Sequence, residues 1–172
     1  GKKLGIHAFG QVGRNVARIA KGFGMEVFAF DPYCPASVME AEGVKPITDI
    51  NELYSTCQYV SLHIPATNET KKSINYALLK QMPKGAMLIN TARKEVINEE
   101  ELVQIMDERP DFRYVSDITP DNASVFAEKF TGRYFFTPKK MGAQTAEANI
   151  NAGIAAAKQS VGFLKEGIDK FK

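Results

Sequence analysis

At 172 residues, with 44% hydrophobic and 24% charged side chains, the chain has the composition of an ordinary soluble globular protein and the length of one compact domain. A net charge of +2 from dispersed lysines and arginines gives no case for nucleic-acid binding, and no apolar run approaches the ~18–20 residues that span a bilayer. Cys34 and Cys57 have neither metal spacing nor the numbers of a disulfide framework, so no metal is expected and a reducing cytoplasm is.

Gly1-Lys2-Lys3 carries no signal-peptide pattern and leads straight into an apolar strand, Leu4 to Phe9. So short a lead before a central strand reads as a domain excised from a longer protein. The turn that follows, Ala8-Phe9-Gly10-Gln11-Val12-Gly13, is a G-x-G-x-x-G pattern with alanine in the first position. Alanine fits there if its φ stays negative. Val12, Val16, Ile19, Ala20 and Phe23 recur at helical spacing and predict a helix whose apolar face lies on a sheet. Glu26 to Phe30 is the second strand, and it ends on Asp31.

Strand, glycine turn, helix, strand and acid together form a dinucleotide-binding βαβ unit. Gly10 lets the backbone approach a pyrophosphate, and Gly13 lets the helix lie close to the strand. The helix N-terminus, at Gln11 and Val12, offers unpaired N–H groups to the anion. Asp31 can accept both hydroxyls of an adenosine ribose. Pro32 and Tyr33 follow it rather than an arginine, so NAD is expected over NADP.

The alternation continues. A short helix is predicted over Ala36 to Glu42, a strand at Val44 to Pro46, a helical turn or two at Asp49 to Ser55, and a strand at Tyr59 to Ile64 stopped by Pro65. Asn75 caps a helix over Tyr76 to Met82, and Met87 to Ile89 is the next strand. Asn98 and Glu101 have capping-box spacing at the head of a helix reaching Glu108. Tyr114 to Ser116 is a strand, Ser124 to Phe130 a helix, Tyr134 to Phe136 a strand, and Ala146 to Leu164 a long alanine-rich helix. Such alternation predicts an α/β fold of the Rossmann type, a doubly wound parallel sheet forming one cofactor domain over residues 1–172. Ligands then sit at the carboxyl ends of the strands, in the loops 8–13, 31–33, 64–67, 90–93, 117–122 and 138–143.

Several stretches carry a family resemblance: Phe30-Asp31-Pro32-Tyr33, Val60-Ser61-Leu62-His63-Ile64-Pro65, Lys84 to Arg93, Glu100-Glu101-Leu102, and Met141-Gly142-Ala143-Gln144-Thr145. In this order they resemble the NAD-binding domain of the D-2-hydroxyacid dehydrogenases, from Leu4 to about Gly167. Within that family they are most similar to the phosphoglycerate dehydrogenases. The resemblance implies hydride transfer between NAD and a D-2-hydroxy acid, with 3-phosphoglycerate, the substrate opening serine biosynthesis, as the implied acid. Arg93 matches the arginine that holds the substrate carboxylate, which suits a planar guanidinium able to donate two parallel hydrogen bonds.

The family's catalytic glutamate falls at Asn122, which cannot be anionic; either the adjacent Asp121 replaces it or the role is absent. Its histidine falls at Lys140, as in a recognisable lysine subgroup. A lysine acts as general base when burial and nearby positive charge lower its pKa towards neutrality. His7 and His63 lie elsewhere and read as scaffold residues. Resemblance adds Ile64, Thr91, Ala92 and Gly142 to the site lining and places Asp117 near the nicotinamide carboxamide. It also implies a homodimer built through the cofactor domain, and no turnover without the upstream domain. Two other readings use a similar turn: a non-catalytic NAD-sensing corepressor, and, more remotely, a methyltransferase, which has no counterpart to Asn90-Thr91-Ala92-Arg93.

Overall fold

The structure is a computed structural model that describes residues 1–140, 142 and 144–167. It contains two compact units, Gly1–Pro138 and Lys139–Lys172. The first unit is built on seven strands: β1 (Lys3–His7), β2 (Glu26–Phe30), β3 (Lys45–Pro46), β4 (Tyr59–Leu62), β5 (Met87–Asn90), β6 (Arg113–Ser116) and β7 (Tyr134–Phe136). They form one parallel sheet in the order β3-β2-β1-β4-β5-β6-β7, the expected doubly wound topology. Strand order reverses between β1 and β4, and a crevice for a ligand opens at such a switch point.

Six helices connect the strands: α1 (Gln11–Gly22), α2 (Ala36–Ala41), α3 (Ile50–Thr56), α4 (Tyr76–Leu79), α5 (Glu99–Glu108) and α6 (Ala123–Lys129). The strands alternate apolar residues between two cores, as a sheet covered on both faces requires. Leu4, Ile6, Val27 and Ala29 pack with Ala17, Ala20 and Met39 on the α1–α2 side. Phe28, Val60, Leu62 and Leu88 pack with Leu53, Leu79, Leu102 and Phe126 on the other. In the second unit, α7 (Ala146–Glu166) is capped by Thr145, which accepts from the Ala148 N–H, and ends on Gly167 at φ +64°.

Three local expectations are corrected. The first concerns α1: of its expected face Ala20 is buried and Val16 half-buried against the core, but Gly13 and Ala17 make the rest of the contact, whereas Val12, Ile19 and Phe23 are 61%, 53% and 80% exposed. The fully buried residues of this face are small, and the helix lies close to the strand there. A Cβ added at Gly13 would stand 2.5 Å from the Ala8 carbonyl oxygen and 3.0 Å from Ile6 Cγ2.

The second concerns Ala8, which has φ +77° rather than a negative value. The left-handed region costs an L residue roughly 1–2 kcal/mol. Tertiary bonds hold it there, among them one from the Ala8 N–H to Phe30 O at 2.9 Å.

The third concerns the capping box at α5, which is only half formed. Asn98 accepts from the Glu101 N–H at 3.5 Å, but Asn98's own N–H bonds Ile74 O at 2.9 Å beside a bridge between Ile74 and Ile97. Glu101 Oε2 instead accepts the Tyr76 N–H at 2.6 Å, so the acid of one helix supports the first turn of another. A 3₁₀ turn at Lys94–Val96, too short to show periodicity, precedes α5.

The closeness at Gly13 has a direct test. Gly13→Ala should destabilise the domain by about 2 kcal/mol through overpacking, measured by urea unfolding. An unchanged midpoint would show that the helix can retreat without cost.

Candidate functional site

The strands end almost flush. Phe30, His7, Leu62, Asn90 and Ser116 are register partners across β2, β1, β4, β5 and β6. The residues that follow them, Asp31, Ala8, His63, Thr91 and Asp117, therefore form one edge.

At its centre is the turn into α1. Gly10 is the N-cap, with no side-chain cap bond, and the first helical turn holds no acid. Gln11 and Val12 are exposed there, and a Cβ at Gly10 would meet nothing within 4 Å. The positive end of a 12-residue helix thus faces open space, which suits an anion.

Asp31 is half-buried and bonded to backbone through both oxygens. Oδ2 accepts the Phe9 N–H at 2.8 Å and Oδ1 the Tyr33 N–H at 2.8 Å. A carboxylate has about four acceptor positions, so about two remain for ribose hydroxyls. Together the open helix end, the close approach at Gly13 and the spare acceptors of Asp31 fit a dinucleotide.

Beneath this edge the two histidines behave as scaffold. His7 Nδ1 lies 3.2 Å from the Tyr54 hydroxyl, and burial pushes its pKa down to about 4, so the ring is neutral near pH 7. The Ser61 hydroxyl and His63 Nε2 are 3.0 Å apart. Burial also raises the Tyr54 hydroxyl above its ordinary range and pushes Cys57 up to about 12, which keeps that thiol protonated.

After β5 the chain turns outward. Thr91 and Arg93 are exposed, whereas Ala92 is buried, as is Ile64 after β4. Ile64 and Ala92 therefore contribute side chains to the core, while Thr91 and Arg93 face solvent. Arg93 donates through one guanidinium nitrogen to Ala92 O at 2.9 Å.

Asn90 shapes this loop. Its Oδ1 accepts the Ala92 N–H at 3.0 Å, and its Nδ2 donates to Arg93 O at 3.0 Å and lies 3.4 Å from the Tyr114 hydroxyl. Asp117, half-buried, follows β6 and donates its N–H to Asn90 O at 3.2 Å.

The loop after Asp117 is held by Glu99, at the head of α5. Its two carboxylate oxygens accept the Asp121 and Asn122 N–H groups, each at 3.2 Å. Asp121 is exposed and pairs with Lys94 at 2.6 Å, which raises the lysine's pKa. Asn122 donates to Glu99 O at 3.3 Å, while its Oδ1 is buried without a hydrogen-bond partner. Lys140 and Gly142 belong to the second unit, where Lys140 is half-buried and Gly142 exposed. Met141 and Ala143, on either side of Gly142, lie outside the described residues.

Residues 1–134 match the family model described as the D-isomer specific 2-hydroxyacid dehydrogenase NAD-binding domain. The chain belongs to this family. It is 39% identical over 171 residues to D-3-phosphoglycerate dehydrogenase 2, chloroplastic, of Arabidopsis thaliana, covering 96% of this chain and 26% of the plant protein. With D-3-phosphoglycerate dehydrogenase of Methanocaldococcus jannaschii it shares 34% over 164 residues, which cover 92% of this chain and 30% of that protein. Among solved structures, NAD+-bound 3-phosphoglycerate dehydrogenase of Entamoeba histolytica superposes with a TM-score of 0.85 at 46% identity. That match covers 99% of this chain and 54% of the amoebic one. Apo D-lactate dehydrogenase of Escherichia coli gives 0.77 at 28% identity, covering 98% and 53%. The chain thus spans from a quarter to about half the length of these relatives. NAD is the cofactor of the family to which this domain belongs.

Sequence reasoning named Asn90 within a motif but gave it no role, and it missed Glu99 and the Phe9 N–H. A buried asparagine at the end of an apolar strand is a readable signal, because a buried amide needs partners. Asn90→Ala should cost about 1–3 kcal/mol by stripping the Ala92 N–H and Arg93 O of their partner. Urea unfolding together with faster amide exchange at Ala92 checks this. Wild-type stability and exchange would mean that the loop holds itself.

Proposed function

We propose that this chain is the cofactor half, residues 1–172, of an NAD-dependent dehydrogenase that oxidises a D-2-hydroxy acid. The proposed acid is 3-phosphoglycerate, and the reaction the first step of serine biosynthesis. One observation carries the reading: the pyrophosphate turn, Asp31 and the exposed Arg93 all follow strands of one parallel sheet at its carboxyl edge. The names of the plant and archaeal relatives and of the amoebic structure support the choice of acid.

In this reading Arg93 orients the substrate carboxylate through two parallel N–H groups. Lys140, in its neutral form, takes the hydroxyl proton onto Nζ as the C2–O bond becomes a carbonyl. NAD, when bound, supplies the acceptor for the hydride that leaves C2. Asp121 stands in for the glutamate missing at Asn122, and Asp117 holds the carboxamide. Thr91, Gly142 and the main chain at Ile64 and Ala92 line the site.

A second domain from the rest of the parent protein closes the cleft and shields the reacting carbon from water. Exposed Val12, Ile19 and Phe23 support burial against a partner, which we propose is a second copy related by a two-fold axis. Among the described residues no helix is long and apolar enough to cross a membrane. Two unlinked cysteines suit a reducing compartment, and the cytoplasm is the one proposed.

Calorimetric titration should show NAD binding more tightly than NADP, because the Asp31 carboxylate repels a 2′-phosphate. Equal or tighter NADP binding would overturn that assignment. In the full-length parent, assayed with NAD and a panel of D-2-hydroxy acids, 3-phosphoglycerate should be turned over best. Lys140→Ala should lower kcat there by about 10²–10⁴-fold while leaving NAD affinity nearly unchanged. Near-normal turnover of that variant would remove Lys140 from the mechanism.

A further inference from the structure

Ala8 sits in the left-handed region with no glycine to relieve it, in the turn where a pyrophosphate would lie. Left to itself, such a turn relaxes to negative φ. Phe9, the next residue, is gripped at both of its main-chain groups. Its N–H reaches across 22 residues to Asp31 Oδ2 at 2.8 Å. Its carbonyl oxygen accepts from Arg14 Nε at 3.4 Å, and the Arg14 guanidinium stands 5.6 Å from the Phe9 ring centroid while pairing with Glu42. Of these grips, the carboxylate is the one also placed to receive a ribose.

We propose that Asp31 is a positioning residue for the pyrophosphate turn as well as a ribose receptor. Resting on the reading of this edge as an NAD site, the assignment is that Asp31 holds Ala8 and Phe9 in the anion-binding shape before the dinucleotide arrives. The lone-pair count permits both tasks at once, since two backbone N–H groups occupy about half of the carboxylate's acceptor capacity. Ribose and pyrophosphate subsites are then one coupled unit. Replacing Asp31 to admit NADP therefore also loosens the turn, and cofactor specificity cannot be exchanged at this position alone.

The test uses calorimetry with two probes, NAD and an NAD analogue whose adenosine ribose is 2′,3′-dideoxy. The analogue has no hydroxyls for Asp31 to accept. If Asp31 acted through the hydroxyls alone, Asp31→Ala would leave the analogue's affinity unchanged. The clamp predicts a loss of about tenfold, the scale of one hydrogen bond to a charged group. Ala8→Gly, which removes the strain, should restore about fivefold in the Asp31→Ala background, a larger factor than it gives in the wild type. Equal analogue binding by wild type and Asp31→Ala overturns the proposal, as does the same Ala8→Gly factor in both backgrounds. In the cofactor-free wild type, the Phe9 amide should exchange slowly by NMR. Rapid exchange overturns the clamp even if Asp31→Ala fails to fold. Wild type binding neither probe would instead sink the NAD reading itself, and the proposal with it.

Discussion

The missing side chain at Gly13 sets how closely α1 can lie on β1, and much of the cofactor edge follows from that distance. The Ala8 carbonyl is 2.5 Å from where a Cβ at Gly13 would be, and the buried residues of the helix, Gly13, Ala17 and Ala20, are all small. The chain must then turn sharply between the end of β1 and the start of α1. In that turn Ala8 stands at φ +77°, with Phe9 held by Asp31, and the helix N-terminus opens at the edge of the sheet. Strain in the backbone and an open, positively polarised helix end are two results of one close contact.

Around that contact the structure keeps charge at the edge and out of the floor. His7 in β1, Tyr54 in α3 and Cys57 just after it are buried, and burial favours the uncharged form of each. Asp31 and Arg93 follow the ends of β2 and β5 at the edge of the sheet. A low-dielectric floor strengthens interactions made by the charges over it, so an acid and an arginine there bind ligand groups more effectively than they would in bulk water.

Proteins named for different acids share this fold. The E. coli D-lactate dehydrogenase structure shares this chain's fold at 28% identity, as does the amoebic 3-phosphoglycerate dehydrogenase at 46%. An arginine on the loop after β5 can grip a carboxylate, which every 2-hydroxy acid has, but it does not read the rest of the molecule.

How much of this was legible in the sequence depends on the range of each interaction. Strand order in the chain, the capping residues Asn75 and Asn98, the glycine turn and Asp31 were all readable, because periodicity and capping act over a few residues. The buried face of α1 was readable only in part. Of Val12, Val16, Ile19, Ala20 and Phe23, which share the apolar spacing, Ala20 and Val16 face the core, while the close approach of helix to strand brought Gly13 and Ala17 inward as well. Glu101 had the spacing of a capping box and was taken by Tyr76, a residue 25 positions away. Asn90, Glu99 and the Phe9 N–H gained their roles in the same manner, from partners brought close by packing. The sequence alone determined the alternating α/β pattern and the residue types needed for a dinucleotide. The tertiary structure decided which small residues face the sheet, where the backbone is strained, and which polar groups hold the loops, because those outcomes depend on distances between atoms that lie far apart along the chain.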